Sequence, residues 1–397
     1  MNRQLDLLHG YPFQRLNGLL ADLDSGGPGE PVVLSIGEPQ RPPPDLVRRA
    51  IDGAAAAWGR YPPAAGTAEF RRAAAAWAGR RFGLQPGLVD PDRHVAPSPG
   101  SREGLFMLAL VAVPRRLGSA AGPPVVILPN PYYHTYDGAA VMSGAEPLLL
   151  DATAENGFCP ELGEVDAAVL ARTALVYLCN PTNPQGAIYD LEQLKAAVRL
   201  ARRHGFILAV DECYSEIYDA EPPPGVLQAC AELGAGLDNV VALHSLSKRS
   251  GAPGLRSGFV AGDEQVIERF VKLIGYGGVA TPGPVLAAAT ALWADDAHVA
   301  ENRAYYRANH DIAERLLGGR AGFTRPAAGF FLWLEVGDGE AAARRLWRQA
   351  GVKAMPGGYM ASDRADGGNP GRRYLRLALV HEPAVTEAAL ARVAAHL

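Results

Sequence analysis

Residues 174–248 decide the fold: ALVYLCNPTNPQG (174–186), FILAVDECY (206–214) and VVALHSLSK (240–248). Each piece starts as a short, unbroken apolar run and ends on polar, chemically capable side chains. Between the first two lies a segment of helical spacing, 191–204. An apolar run without alternation suits a strand covered on both faces. Strand–helix alternation then points to an α/β fold with a mainly parallel sheet flanked by helices. Working outward, PVVILP (124–129), EPLLL (146–150) and SGFVAG (257–262) read as further strands. Residues 45–58, 69–82 and 101–113 read as helices.

At the N-terminus, about 30 residues ending in the Gly/Pro-rich SGGPGEP (25–31) read as an arm before VVLSIGEP (32–39). From about residue 283 the texture becomes Ala-rich and helical, then strand-like near Phe330 and Tyr374. The expected organisation is an arm and first strand (1–45) packing with a small domain, a large domain (46–283) and a smaller α+β domain (284–397).

The chain has 397 residues, of which 48% are hydrophobic and 20% charged, the balance of a globular protein with a sizeable core. Its 38 basic and 42 acidic side chains give a net charge of −4, so no nucleic-acid partner held by bulk electrostatics is expected. Gly (45) and Pro (32) scatter without a repeat, which removes collagen-like and disordered classes. Cys159, Cys179, Cys213 and Cys230 form no C-x-x-C pair, so neither a zinc site nor a disulfide framework is indicated, and a reducing, cytoplasmic setting is expected. The opening MNRQLDLLHG lacks a secretory pattern, and the longest fully apolar stretch, Phe106 to Val113, is too short to span a membrane.

Ligands of open α/β sheets bind at strand ends, which is where the reactive residues fall. Asn180-Pro181-Thr182-Asn183-Pro184-Gln185-Gly186 makes a rigid loop offering two amides; alone it is an ordinary proline-rich turn. Asp211 ends a buried strand, where a carboxylate is costly unless paired; alone it suits a helix N-cap. Lys248 follows another buried strand, where desolvation lowers an amine's pKa and makes it nucleophilic; alone it is a surface lysine. Ser245 and Arg256 flank it with a hydroxyl and a guanidinium suited to phosphate. Gly100-Ser101-Arg102 opens a helix whose N-terminus favours an anion, a weak signal taken singly. Taken together, a nucleophilic lysine, a carboxylate for a ring nitrogen and a phosphate cradle are the requirements of pyridoxal 5′-phosphate.

With these motifs the sequence resembles the class I/II aminotransferases of fold type I, over nearly the whole chain from LSIGEP (34–39) to RRYLRLAL (372–379). The resemblance rests on NPTNPQG (180–186), DECY (211–214), SLSK (245–248) and GLRSG (254–258). It departs at Gln185, where the family more often has threonine, and at Tyr133, where tyrosine stands for tryptophan. It implies that Lys248 carries the cofactor and moves the substrate Cα proton, that Asp211 pairs with the ring nitrogen, and that Tyr214 and Asn183 bond the ring's phenolic oxygen. It also implies that Gly100, Ser101, Arg102, Ser245 and Arg256 hold the phosphate and that Tyr133 stacks on the ring. Tyr61 would reach the phosphate of a neighbouring subunit, implying a homodimer with shared active sites. Arg376 would grip the substrate α-carboxylate, with Gly37 and Asn183 beside it.

Within the family, YPFQRL (11–16), GSREGLF (100–106), PNPYYHTYDGAA (129–140) and SLSKRSGAPGLRSGFVAGD (245–263) look most similar to the N-succinyldiaminopimelate aminotransferases of lysine biosynthesis. That substrate has a distal, acylated acidic end, for which Arg15, Arg249, Lys272 and GYGGVATP (275–282) are the candidate contacts. A broader aspartate, alanine or aromatic aminotransferase, a C–S lyase of the same fold, and a regulatory PLP-sensing domain remain the alternatives. No attached DNA-binding module is visible for the last.

Overall fold

The computed structural model describes residues 1–114, 122–234, 236–320 and 322–397. The arm contains a 3-10 turn Arg3–Leu7, a helix Pro12–Leu19 and the two-residue strand β1 (Val32–Val33). Seven strands then build the main sheet: β2 (Val95–Ser98), β3 (Val125–Asn130), β4 (Glu146–Asp151), β5 (Thr173–Cys179), β6 (Ile207–Asp211), β7 (Val240–Ser245) and β8 (Gly258–Gly262). Their order is β2-β8-β7-β6-β5-β3-β4. The pairs β3–β4, β3–β5, β5–β6 and β6–β7 are parallel, and β8 runs antiparallel to both of its neighbours.

The unbroken apolar runs are explained by a sheet covered on both faces. Along β7, Val240 and Ala242 enter one core while Val241 and Leu243 enter the other, the alternation a pleated strand imposes. One face is covered by helices that include Ala68–Phe82 and Leu191–His204. Leu194, Ala197, Val198 and Ala201 of the latter form a single buried stripe at helical spacing. Asp190 caps that helix reciprocally with Gln193, and Gly205 ends it in the left-handed region at φ 75°. The opposite face is covered by Ser101–Ala112, His134–Ser143 and Glu264–Gly277.

A further core forms around the antiparallel sheet of β9 (Phe331–Glu335), β11 (Met355–Pro356) and β12 (Tyr374–Ala378), with the short strand β10 (Val352–Lys353) between the first two in the chain. Strand β1 pairs in parallel with β10, which ties the arm to this second core. The helix Gly283–Ala294 differs from the compositional reading. Its Leu286, Ala289, Leu292 and Trp293 pack into the core of the main sheet, not into the second one. An Ala-rich helix looks alike from either side of such a boundary, and only its partners decide where it belongs. The strand signals near Phe330 and Tyr374 fall on β9 and β12, where Phe331 pairs in register with Ala378 and Tyr374 with Glu335.

Candidate active site

The carboxyl ends of β5, β6 and β7 open into a cavity of about 530 Å³. Of the residues singled out from the sequence, Gly37, Ser101, Arg102, Tyr133, Asn183, Asp211, Tyr214, Ser245, Lys248, Arg256 and Arg376 line it. Gly100 lies just behind the wall, and Tyr61 lies elsewhere, fully exposed at 102%.

Asp211 is the last residue of β6 and is buried. Its Oδ2 accepts from the Tyr136 hydroxyl at 3.0 Å and its Oδ1 from the Cys213 backbone N–H at 3.2 Å. Burial raises its pKa, against the pull of the Cys213 and Tyr136 hydrogen bonds. Lys248 lies in the short helix Leu246–Arg249 that follows β7, and its Nζ donates to the Gly37 carbonyl. Burial brings its pKa down to about 8. Asn302 donates to the Lys248 carbonyl at 2.9 Å, fixing the backbone that carries the amine.

Arg376 sits on β12, with its guanidinium 4.2 Å from the centroid of the Phe331 ring. It donates to the Ser35 carbonyl at 2.8 Å and to Asn183 Oδ1 at 3.2 Å, while its buried Nε has no partner. Burial lowers its pKa to about 10. Tyr214 is held edge-on to Phe330 and Phe331, at ring distances of 5.4 and 5.8 Å, and burial pushes its hydroxyl pKa well up.

The end of the cavity suited to an anion is formed by the N-terminus of the helix Ser101–Ala112 together with Ser245 and Arg256. Gly100 caps that helix at φ 83°, and a Cβ there would stand 2.7 Å from an Arg256 guanidinium nitrogen. Glycine is therefore what lets Arg256 pass. Arg256 is held by Glu103 Oε2 at 2.6 Å and by the Pro99 carbonyl at 2.8 Å. Arg102 donates to the Tyr133 hydroxyl at 2.6 Å. Gly37 is needed for a similar reason, since a Cβ would lie 2.4 Å from Phe331 Cζ.

The residues that the motifs leave without a role include Tyr136, Glu103 and Tyr11. Tyr136 follows Tyr133 one helical turn on, so the spacing carried a signal, but in the first turn of a helix an aromatic reads as core. Glu103, which orients Arg256, and Tyr11, which lines the cavity from the arm, lie in the quoted stretches GSREGLF and YPFQRL, but nothing local there marks their roles. Among the distal candidates, Arg249 is corrected. It is buried, paired with Asp296 at 2.9 Å and bonded to the Leu292 carbonyl at 2.7 Å, so its charge serves the interior. Lys272 is exposed and lines neither this cavity nor its neighbour.

Among the described residues, Asp211, Lys248 and Arg376 have no ion-pair partner, although burial makes such charges costly. A ligand with a cationic ring nitrogen facing Asp211, a carbonyl facing Lys248, a carboxylate facing Arg376 and a phosphate at the Ser101 helix end would satisfy all of them. Pyridoxal 5′-phosphate with an amino-acid substrate fits that donor and acceptor set.

A fold and site of this kind define a vitamin B6-dependent enzyme acting on amino acids. The sequence matches the family model "Aminotransferase class I and II" over residues 30–396, and the chain belongs to that family. It is 34% identical over 364 residues to 4-dedimethylamino-4-oxo-anhydrotetracycline transaminase OxyQ of Streptomyces rimosus, covering 91% of this chain and 92% of that one. It is 32% identical to LL-diaminopimelate aminotransferase of Desulforudis audaxviator (strain MP104C), covering 93% and 91%. Among solved structures it is similar to an aminotransferase from Neisseria meningitidis Z2491, with a TM-score of 0.93 at 38% identity, covering 100% and 99% of the two chains. A second, aminotransferase AspB from Helicobacter pylori 26695, gives 0.88 at 34% identity, covering 98% of each. The chain is accordingly a transaminase that depends on pyridoxal 5′-phosphate. No helix among the described residues is long and apolar enough to cross a membrane.

Proposed function

We propose that this enzyme transfers the amino group of N-succinyl-LL-2,6-diaminopimelate to 2-oxoglutarate, as a cytoplasmic step of lysine and diaminopimelate biosynthesis. The observation that carries the substrate reading is a second cavity of about 680 Å³ that shares Tyr11, Tyr132, His134 and Met360 with the first. An amino acid with only one or two side-chain carbons would leave it unfilled. A long, acylated second end would occupy it. The similarity to LL-diaminopimelate aminotransferase supports the diaminopimelate skeleton, and the motif resemblance supports the acylated form.

The residue roles follow from the site's chemistry. Lys248 would hold the cofactor aldehyde and move the proton at substrate Cα, a task suited to an amine whose pKa burial brings down to about 8. Asp211, oriented by Tyr136, holds the proton on the ring nitrogen. Tyr214 and Asn183 would meet the ring's phenolic oxygen, and Tyr133 would cover the ring; all three line the cavity. Gly100, Ser101, Arg102, Ser245 and Arg256 receive the phosphate. Arg376 fixes the α-carboxylate through its planar fork, so that Cα stays near Lys248. When bound, the cofactor supplies the electron sink that makes Cα acidic. We assign Tyr61 to the neighbouring subunit's phosphate within a homodimer; its full exposure in the single chain supports this.

The half-reaction spectrum of the loaded enzyme tests the substrate. N-succinyl-LL-diaminopimelate should convert the cofactor to its amino form with a specificity constant at least tenfold above LL-diaminopimelate, aspartate, alanine and phenylalanine. Equal or better conversion by any of these removes the substrate assignment. Release of pyruvate and ammonia from cystathionine without a keto acid would replace it with lyase chemistry.

A further inference from the structure

The second cavity contains a guanidinium with no anion to meet it. Arg15 projects from the arm helix Pro12–Leu19 and lines this cavity. Its guanidinium carbon lies 4.0 Å from the centroid of the Tyr359 ring. Stacking of this kind holds the planar group still while its N–H edges remain free to donate. Among the described residues no carboxylate lies within ion-pair distance of it.

The other charged groups around the cavity are occupied. His9 holds Asp137 at 3.0 Å, Glu103 holds Arg256 at 2.6 Å, Arg102 is bonded to the Tyr133 hydroxyl at 2.6 Å, and the carboxylate of Asp363 accepts from Asn369 at 2.9 Å and lies 3.8 Å from Arg372. Burial lowers the His134 pKa to about 4, so that ring is neutral near pH 7. The arm itself is seated on the site by the His9–Asp137 pair and by the edge-to-face contact of Tyr11 with His134, whose rings are 4.7 Å apart. Arg15 is thus presented from a docked element, pre-oriented before any substrate arrives, which reduces the ordering cost of binding.

We infer that Arg15 is the specificity-determining residue for a carboxylate at the far end of the amino donor. The inference rests on reading the first cavity as the site of transamination. It makes the binding surface bipolar: Arg376 takes the carboxylate on Cα, and Arg15 takes one separated from it by a chain long enough to cross from the first cavity into the second. Short dicarboxylic amino acids satisfy Arg376 alone. Long neutral ones fill the space and leave Arg15 without an anion.

The test compares 2-aminopimelate with 2-aminoheptanoate, which match in chain length and differ in the distal carboxylate, in single-turnover half-reactions of the holoenzyme. The wild-type enzyme should favour the acidic probe. Arg15→Ala should reduce the ratio of the two specificity constants about 10- to 100-fold, the range of a charge-assisted hydrogen bond. The loss should lie in half-saturation and not in the maximal rate. Arg15→Lys, which keeps the charge and loses the fork, should recover part of the ratio. A misfolded variant lowers both rates together, so the ratio and the lysine variant keep the test decisive. A ratio unchanged in Arg15→Ala, or a wild-type enzyme indifferent to the distal carboxylate, overturns the inference. N-succinyl-LL-diaminopimelate, run alongside, separates the two proposals. If it fails as a donor while Arg15 still controls the probe ratio, the substrate assignment falls and the role of Arg15 stands.

Discussion

Arg376 and Asn183, 193 residues apart in the chain, meet across the candidate site, with a guanidinium nitrogen donating to Asn183 Oδ1 at 3.2 Å. One comes from β12 beside the second core and the other from the loop after β5 of the main sheet. The bond therefore joins the group assigned to the substrate carboxylate to a group assigned to the cofactor ring. A ligand that pulls on one is felt by the other.

Removing the guanidinium should abolish recognition of the α-carboxylate. For Arg376→Ala we expect the specificity constant for any α-amino acid to fall about 10²- to 10³-fold, the scale of a buried charge pair that has lost one partner. Arg376→Lys should recover little of it, because Asn183 and Ser35 are met by separate edges of a planar fork. Single-turnover kinetics with glutamate read this directly.

The pH dependence of cofactor capture follows from the environment of Lys248. Burial disfavours its ammonium form and brings its pKa down to about 8. The neutral amine is the nucleophile, so covalent capture of pyridoxal phosphate by the apoenzyme should level off above about pH 8. Below that pH it should slow about tenfold per unit, as the amine is protonated. An exposed lysine would still be gaining rate near its ordinary pKa of 10.5. Stopped-flow absorbance across pH 6–10.5 checks the sign and the midpoint.

At the phosphate end, Arg256→Ala should weaken pyridoxal phosphate binding about 10- to 100-fold while changing the affinity for unphosphorylated pyridoxal much less. Glu103→Gln should act in the same direction and more weakly, since Glu103 holds Arg256 at 2.6 Å without lining up with the ring chemistry itself. Equilibrium titration of apoenzyme with the two vitamers gives both constants.

Gly37→Ala should destabilise the protein by about 1–3 kcal/mol through overpacking. The new Cβ would overlap the Phe331 ring, with contacts of 2.4 and 2.7 Å to Cζ and Cε1. The apparent Tm should fall by a few degrees. Because the Gly37 carbonyl also receives Lys248 Nζ, the midpoint of cofactor capture should shift as well.

What was legible in the sequence was set by burial. Strands β5, β6 and β7 are covered on both faces, so each reads as an apolar run, and the change to Asn183, Asp211 or Lys248 marks where the sheet meets the cavity. Residues whose place depends on a partner far away in the chain were not legible. Arg249 sits next to Lys248 and looked available for substrate, yet Asp296 and the Leu292 carbonyl claim it from 47 and 43 residues away. Tyr136 reads as helix core until Asp211 is seen beside its hydroxyl. The helix Gly283–Ala294 carries no mark of which core it joins, because alanine packs equally well in both.

Lys248 as the cofactor's attachment point is the centre of the account, and borohydride reduction of the holoenzyme followed by peptide mass mapping tests it most directly. The predicted result is one phosphopyridoxyl label, on the peptide containing Lys248, and none in the Lys248→Ala protein. A label at another lysine, or unmodified Lys248 in an enzyme that still transaminates, would contradict it.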